Sequence, residues 1–192
     1  MAEQERRVLR APAGTFSLVA AVIVALLLFA DLVVRGGWDQ TVLVAPWLLL
    51  ILWLVYILMY APRVVVTDRG VRIHNVLRVA EVPWTAVADI VMRWQLELHL
   101  VEPAGSGRGK TVLQAWAVAA PRRYRPRLSG RPSSREAEAE ETLDVLRGLH
   151  EAALASAPAG EPATVTRTWD VPAVVAGALI VAWCAVAVAI AG

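Results

Sequence analysis

Arg63-Val-Val-Val-Thr67, Asp68-Arg-Gly70 and Val71-Arg-Ile-His-Asn-Val76 decide how this chain of 192 residues is read. Two β-branched runs flank a short polar segment, the pattern of two strands joined at a tight turn. Asp68 and Gly70 there are expected to supply the positive φ angles of a hairpin loop. Going forward, Leu77–Val82 reads as a third short strand ended by Pro83. Ala86–Trp94 reads as a fourth, opening near a helical turn at Trp84–Val87. Gln95–Val101 alternates, with Leu96, Leu98 and Leu100 on one face and Gln95, Glu97 and His99 on the other. That predicts a half-buried strand with one wet face. After the loop Glu102–Gly109, Lys110–Ala117 returns as a further strand, so strands occupy residues 63–117.

Composition then shifts. Pro121–Arg135 holds six Arg, three Pro and no acid, which predicts a solvated basic loop over 121–135. Ser133 or Ser134 is placed to cap a helix over 134–157, with Glu136, Glu138, Glu140 and Glu141 at its positive end. Leu143, Leu146, Leu149/His150 and Ala153/Leu154 form one apolar stripe on it. Pro158–Pro162 ends the helix and begins a linker over 158–170. Meandering strands followed by one amphipathic helix bury both apolar faces as a small open barrel or bent sheet closed by that helix.

Outside this insert the chain is apolar. Only Ala61 and Pro62 separate the first strand from a run over 41–60, in which Pro46 marks a helix start or a kink. Before it lies the run 16–34, and near the end of the sequence lies 171–190. Apolar residues reach 57%, charged residues 19% and the mean hydropathy +0.53. Soluble domains average about 45–50% and about 25%. The balance excludes a disordered chain and points to an integral membrane protein. One Cys excludes an internal disulfide and a Cys-based zinc cage. At about 1.5 Å per residue each run approaches the roughly 30 Å hydrocarbon core. A signal peptide is the competing reading of 16–34, but the run is too long and Leu28-Phe29-Ala30 is a poor cleavage site. Ala173/Gly177, Ala178/Ala182 and Ala185/Ala189 lie four apart, which suits close helix packing and also arises by chance in an Ala-rich helix.

Arginine placement sets the orientation. The tail 1–15 carries Arg6, Arg7 and Arg10, the loop between the first two runs Arg35 alone, and the insert 14 Arg and Lys110. The positive-inside rule puts the tail and insert in the cytoplasm and the C-terminus outside, in a multi-pass protein of the cell membrane.

Ala61-Pro62-Arg63-Val-Val-Val-Thr67-Asp68-x-Gly70, then Val82-Pro83-Trp84-x-x-Val87 and Arg93-Trp94-x-Leu96-x-Leu98, carry a resemblance. The pattern resembles the bacterial pleckstrin-homology (PH) domains of actinobacterial-type small membrane proteins, including the low-molecular-weight protein antigen six family. The likeness covers roughly Ala61–Pro121. It implies a PH-like sheet or barrel with a terminal helix, borne on transmembrane helices, without enzymatic activity, and makes Pro83, Trp84, Val87, Arg93 and Trp94 structural motif positions. Eukaryotic PH domains that bind phosphoinositides carry several basic residues around the first hairpin loop; here Arg69 and Arg72 stand beside Asp68.

Catalytic patterns are weak. His74, His99 and His150 show no ligand spacing, and Gly105–Lys110 lacks the spacing of a phosphate loop. Trp84, Trp94 and Trp116 read as core or sheet-packing residues. The expectation is therefore an α+β membrane protein with three transmembrane helices, 16–34, 41–60 and 171–190, and an inserted cytoplasmic PH-like domain over 61–157. It needs no cofactor, metal or nucleic acid. Its partners are the bilayer, anionic phospholipid and a membrane protein, with Arg122, Arg123, Arg125 and Arg127 as lipid contacts or as a topology signal only. The alternative is an accessory subunit that joins a larger complex through Ala173 and Gly177.

Overall fold

The computed structural model describes residues 7–10, 12–101, 111–119, 134–156 and 164–191. In chain order these form β1 (Arg7–Leu9), α1 (Pro12–Val55), a π-helical turn (Tyr56–Tyr60), β2 (Arg63–Val66), β3 (Gly70–Asn75) and β4 (Arg78–Pro83). A 3-10 turn (Trp84–Ala86), β5 (Val87–Met92), β6 (Gln95–Leu100), β7 (Val112–Ala119), α2 (Ser134–Ser156), β8 (Thr166–Trp169) and α3 (Val171–Ala191) follow. They gather into two compact units: the strands with α2, and α1 and α3 with Val76–Arg78 and Trp169.

The strand unit holds two sheets, of order β1-β2-β3-β4-β8 and β5-β6-β7. Neither sheet of the described strands closes on itself, so the expected barrel is an open pair of sheets. The β-branched run pairs as its alternation dictates: Val64 faces Ile73 and Val66 faces Val71 across β2 and β3. Those four join Val82, Trp84, Ile90, Leu96, Leu98 and Ala115 in one core, which Leu146 of α2 enters and Leu143, Leu149 and Ala153 flank. The helix stripe therefore lies against the sheets, except Leu154, which is exposed. Removing such side chains from water contributes roughly 1.5–3 kcal/mol each.

Two details of the strands differ from the sequence reading. Gly70 does not take a positive φ; among the described residues only Gly37 does. A Cβ at Gly70 would collide with the carbonyl oxygen of Val82, so glycine is required by the close approach of β4. Thr67 closes the turn instead, its backbone N–H and its hydroxyl both donating to the Gly70 carbonyl at 3.0 and 2.9 Å. The face of β6 expected to be wet is also covered: Glu97 is only 8% exposed. Its carboxylate accepts from Gln114 Nε2 of β7 at 3.4 Å and lies 3.8 Å from His99 Nε2. A buried carboxylate persists where neighbours on its own sheet meet it.

Two short strands were invisible to periodicity. β1 pairs antiparallel with β2, Leu9 opposite Val64, within the segment read as a tail. β8 sits beside β4 within the segment read as a linker.

In the helical unit, α1 is broken at Gly37, where φ is 69° and ψ 178°. Only glycine enters that region without strain. The chain reverses there, because Gly14 lies so close to the Met59 carbonyl that a Cβ would collide with it. Pro46 sits inside the returning limb. The runs Ala13–Tyr60 and Val171–Ala191 are long and apolar enough to cross a membrane. Trp53 lies on Gly177, where any Cβ would strike its ring, and its Nε1 donates to the Ala173 carbonyl at 3.1 Å. Ala178, Ala182, Ala185 and Ala189, the other small pairs, are exposed. Trp169 and Arg78 stack at 4.4 Å, and the Asp170 N–H donates to the Leu77 carbonyl at 2.9 Å.

Candidate functional site

The strand unit offers two surfaces, one in its five-stranded sheet and one in its three-stranded sheet. The first lies at the β2–β3 turn. Thr67, Arg69, Arg72, Glu81, Pro83 and Thr166 line an open groove of about 430 Å³. Arg72 Nε pairs with Glu81 Oε1 at 3.3 Å, both side chains about half exposed. With Asp68 beside Arg69, two cations stand against two carboxylates, so the groove has hydroxyls and shape but little net charge.

The wall of this groove is rigid. Pro83 holds extended backbone and leads into the 3-10 turn. Trp84 is 2% exposed; its Nε1 donates to the Thr67 carbonyl at 2.9 Å and its backbone N–H to the Arg69 carbonyl at 3.2 Å. His150 of α2 covers its ring at 5.6 Å, with Nε2 3.1 Å from the Val87 carbonyl. Arg147 donates to the Ile90 carbonyl at 3.1 Å. His150 thus fastens the helix to the sheet.

The second surface lies where β5 turns into β6. The Arg93 N–H donates to the Gln95 carbonyl at 3.2 Å, tightening the turn so that Trp94 stands 79% exposed. Opposite it, β7 bulges: Leu96 faces Ala115 but Gln95 faces Ala119, which leaves Trp116 inside the bulge. Trp116 is 56% exposed. Its backbone N–H donates to Asn75 Oδ1 at 3.1 Å, and Asn75 Nδ2 donates to the Gln114 carbonyl at 2.7 Å. The asparagine amide stands in for a missing strand partner and pins the bulge to the end of β3. Both tryptophans depart from the expected core role. A buried Trp needs a partner for its N–H and a pocket for its rings, and Trp84 has both.

The predicted motif positions therefore separate. Pro83, Trp84 and Val87 build one end, and Arg93 and Trp94 the other. Ala173 and Gly177 belong to the helical unit, under Trp53. Arg122, Arg123, Arg125 and Arg127 lie outside the described residues, as do the loop 102–110 and the linker residues 157–163. Among the described residues no group of three or more His, Cys, Asp or Glu is placed to hold a metal. The exposed tryptophan pair is the feature that sequence reasoning missed; the bulge that exposes Trp116 leaves no mark in local periodicity.

Residues 61–134 match the family model described as a bacterial PH domain. That segment covers the strands from β2 to β7 and the Trp84 turn. No curated protein and no solved structure gives a significant match to the chain.

Proposed function

We propose, with the bacterial PH domain at residues 61–134 as premise, that the chain is a multi-pass protein of the cell membrane that docks anionic lipid headgroups through its PH-like unit. PH domains are docking modules, and the observation that carries the reading is one such domain joined to helices apolar enough to cross a bilayer. The reversal at Gly37 supports two crossings in Ala13–Tyr60, and α3 supplies a third. Pairing of β1 with β2 supports a common side for the segments before the first crossing and after the second. Arginine weighting makes that side cytoplasmic, and α3 then leads outward.

Arg122, Arg123, Arg125 and Arg127 supply the attraction, at about 1 kcal/mol each near an anionic surface and falling off within a Debye length of about 8–10 Å. Docking of this kind acts without catalysis, metal or cofactor. On its Pro83-Trp84-x-x-Val87 and Arg93-Trp94 motif the chain groups with the actinobacterial-type proteins of the antigen six family. The accessory-subunit reading is weakened, because Trp53 of the same chain occupies the Gly177 face that a partner helix would need.

Hydrogen exchange of the full chain in nanodiscs tests the docking. Residues 121–135 are expected to be protected with phosphatidylglycerol and not with phosphatidylcholine alone. High salt, or Gln in place of the four arginines, removes that protection. Equal exchange in both lipids overturns the lipid reading and leaves a protein partner.

A further inference from the structure

Trp94 and Trp116 are the two most exposed aromatic side chains among the described residues of the strand unit, and the register places both toward the Gln95 end of the β6–β7 pair. Trp94 precedes Gln95 and Leu96, and the β7 bulge that holds Trp116 lies between the partners of those same two residues. Asn75, bonded to Trp116 N–H, locates Trp116 at the β3 end of the five-stranded sheet that lies away from the β2–β3 turn. That end also carries Leu9, opposite Val64, and Arg63, opposite His74. β2 enters that end directly from the apolar run 41–60, since Ala61 and Pro62 alone precede Arg63.

An exposed indole is poorly placed in water and well placed at a headgroup layer, which takes its flat apolar body and its N–H together. The surrounding charge fits the same occupant. Arg93 is exposed beside Trp94, and residues 90–96 carry no acid. The opposite end of the sheet has the reverse character, a balanced groove without exposed aromatics.

We infer that Trp94 and Trp116 enter the headgroup layer of the bilayer that holds the chain's own apolar helices. The inference rests on the membrane reading above but uses other residues than the arginine-rich segment. It predicts that the unit keeps its seat on a bilayer even where lipid charge is neutral.

The test uses the full chain in phosphatidylcholine vesicles, beside the variant W94F/W116F. Subtracting the variant's emission from the native emission isolates the two indoles. A difference spectrum that is blue-shifted and mostly quenched by lipids brominated near the headgroup is the expected result. A difference spectrum quenched by aqueous iodide and not by bromolipid overturns the inference while vesicle flotation still upholds the membrane reading. Blue-shifted emission immune to both quenchers also overturns it, in favour of a protein contact. Failure of the chain to float with vesicles overturns both. Unchanged amide hydrogen exchange in β2–β4 of the variant guards against misfolding.

Discussion

Trp84 and Trp94 stand at the two ends of β5 and have opposite fates. Trp84 is enclosed, with its ring nitrogen and its backbone both donating to the β2–β3 turn. Trp94 crowns a turn closed by backbone alone and keeps most of its surface open. One end of the unit is thus built for rigidity, and its neighbouring charges cancel. The other presents aromatic surface next to an exposed arginine, at the end that β2 enters directly from the apolar run 41–60. The same residue type is enclosed at one position and open at the other, and the enclosed one has a partner for its ring nitrogen in the Thr67 carbonyl.

The largest effect is expected from breaking the rigid end. Trp84→Ala removes a large buried side chain and leaves the Thr67 carbonyl without its donor, at a cost of about 3–5 kcal/mol. Trp94→Ala should change stability by no more than about 0.5 kcal/mol. Urea unfolding of the full chain in detergent, read by hydrogen exchange in β2–β6, measures both. Equal losses at the two positions would dissolve the contrast.

A smaller effect tests what holds the exposed end in shape. Asn75→Ala deletes both bonds to β7, the 2.7 Å bond to the Gln114 carbonyl and the 3.1 Å bond from Trp116 N–H. The expected cost is roughly 1–3 kcal/mol. Faster amide exchange should be confined to residues around the β7 bulge. Asn75→Asp keeps the acceptor and loses the donor, so exchange at Trp116 N–H should be slower in it than in the alanine variant. Uniform acceleration over both sheets would mean that Asn75 serves the core and not the bulge.

How much of this could be read in advance depends on where the information sits. Val64, Val66, Val71 and Ile73 announce their strands because β-branching and a period of two are local properties. Leu143, Leu146 and Leu149 announce a helix face in the same way, and Arg35-Gly36-Gly37 marks the break in the apolar run. β1 and β8 carry no such mark, being three and four residues whose strand state exists only through β2 and β4. The alternation of Gln95–Leu100 gave the leucine face correctly and the wetness of the opposite face wrongly. Periodicity says which residues share a face and nothing about what covers it. The two exposed tryptophans escaped for a related reason: the pull of aromatics toward cores is an average, and the bulge at Gln95 is set by pairing between distant segments. The groove at the β2–β3 turn was legible in its residues, Arg69 and Arg72, but not in the Glu81 that pairs with Arg72.

That pairing gives the smallest expected effect and sharpens the contrast from the side of charge. Arg72 and Glu81 are about half exposed, so water and salt screen their 3.3 Å contact. Arg72→Gln should cost less than about 1 kcal/mol, and less again in high salt. Glu81→Gln should be similarly mild for folding, yet it leaves Arg69 and Arg72 against Asp68 alone and turns a balanced groove basic. Weak protection of residues 67–72 by inorganic phosphate, in phosphatidylcholine nanodiscs, is therefore expected in Glu81→Gln and absent in the native chain. If the native chain already shows that protection, Glu81 does not neutralise the groove. Anion recognition would then extend to the rigid end, and the division of labour between the two ends would fail.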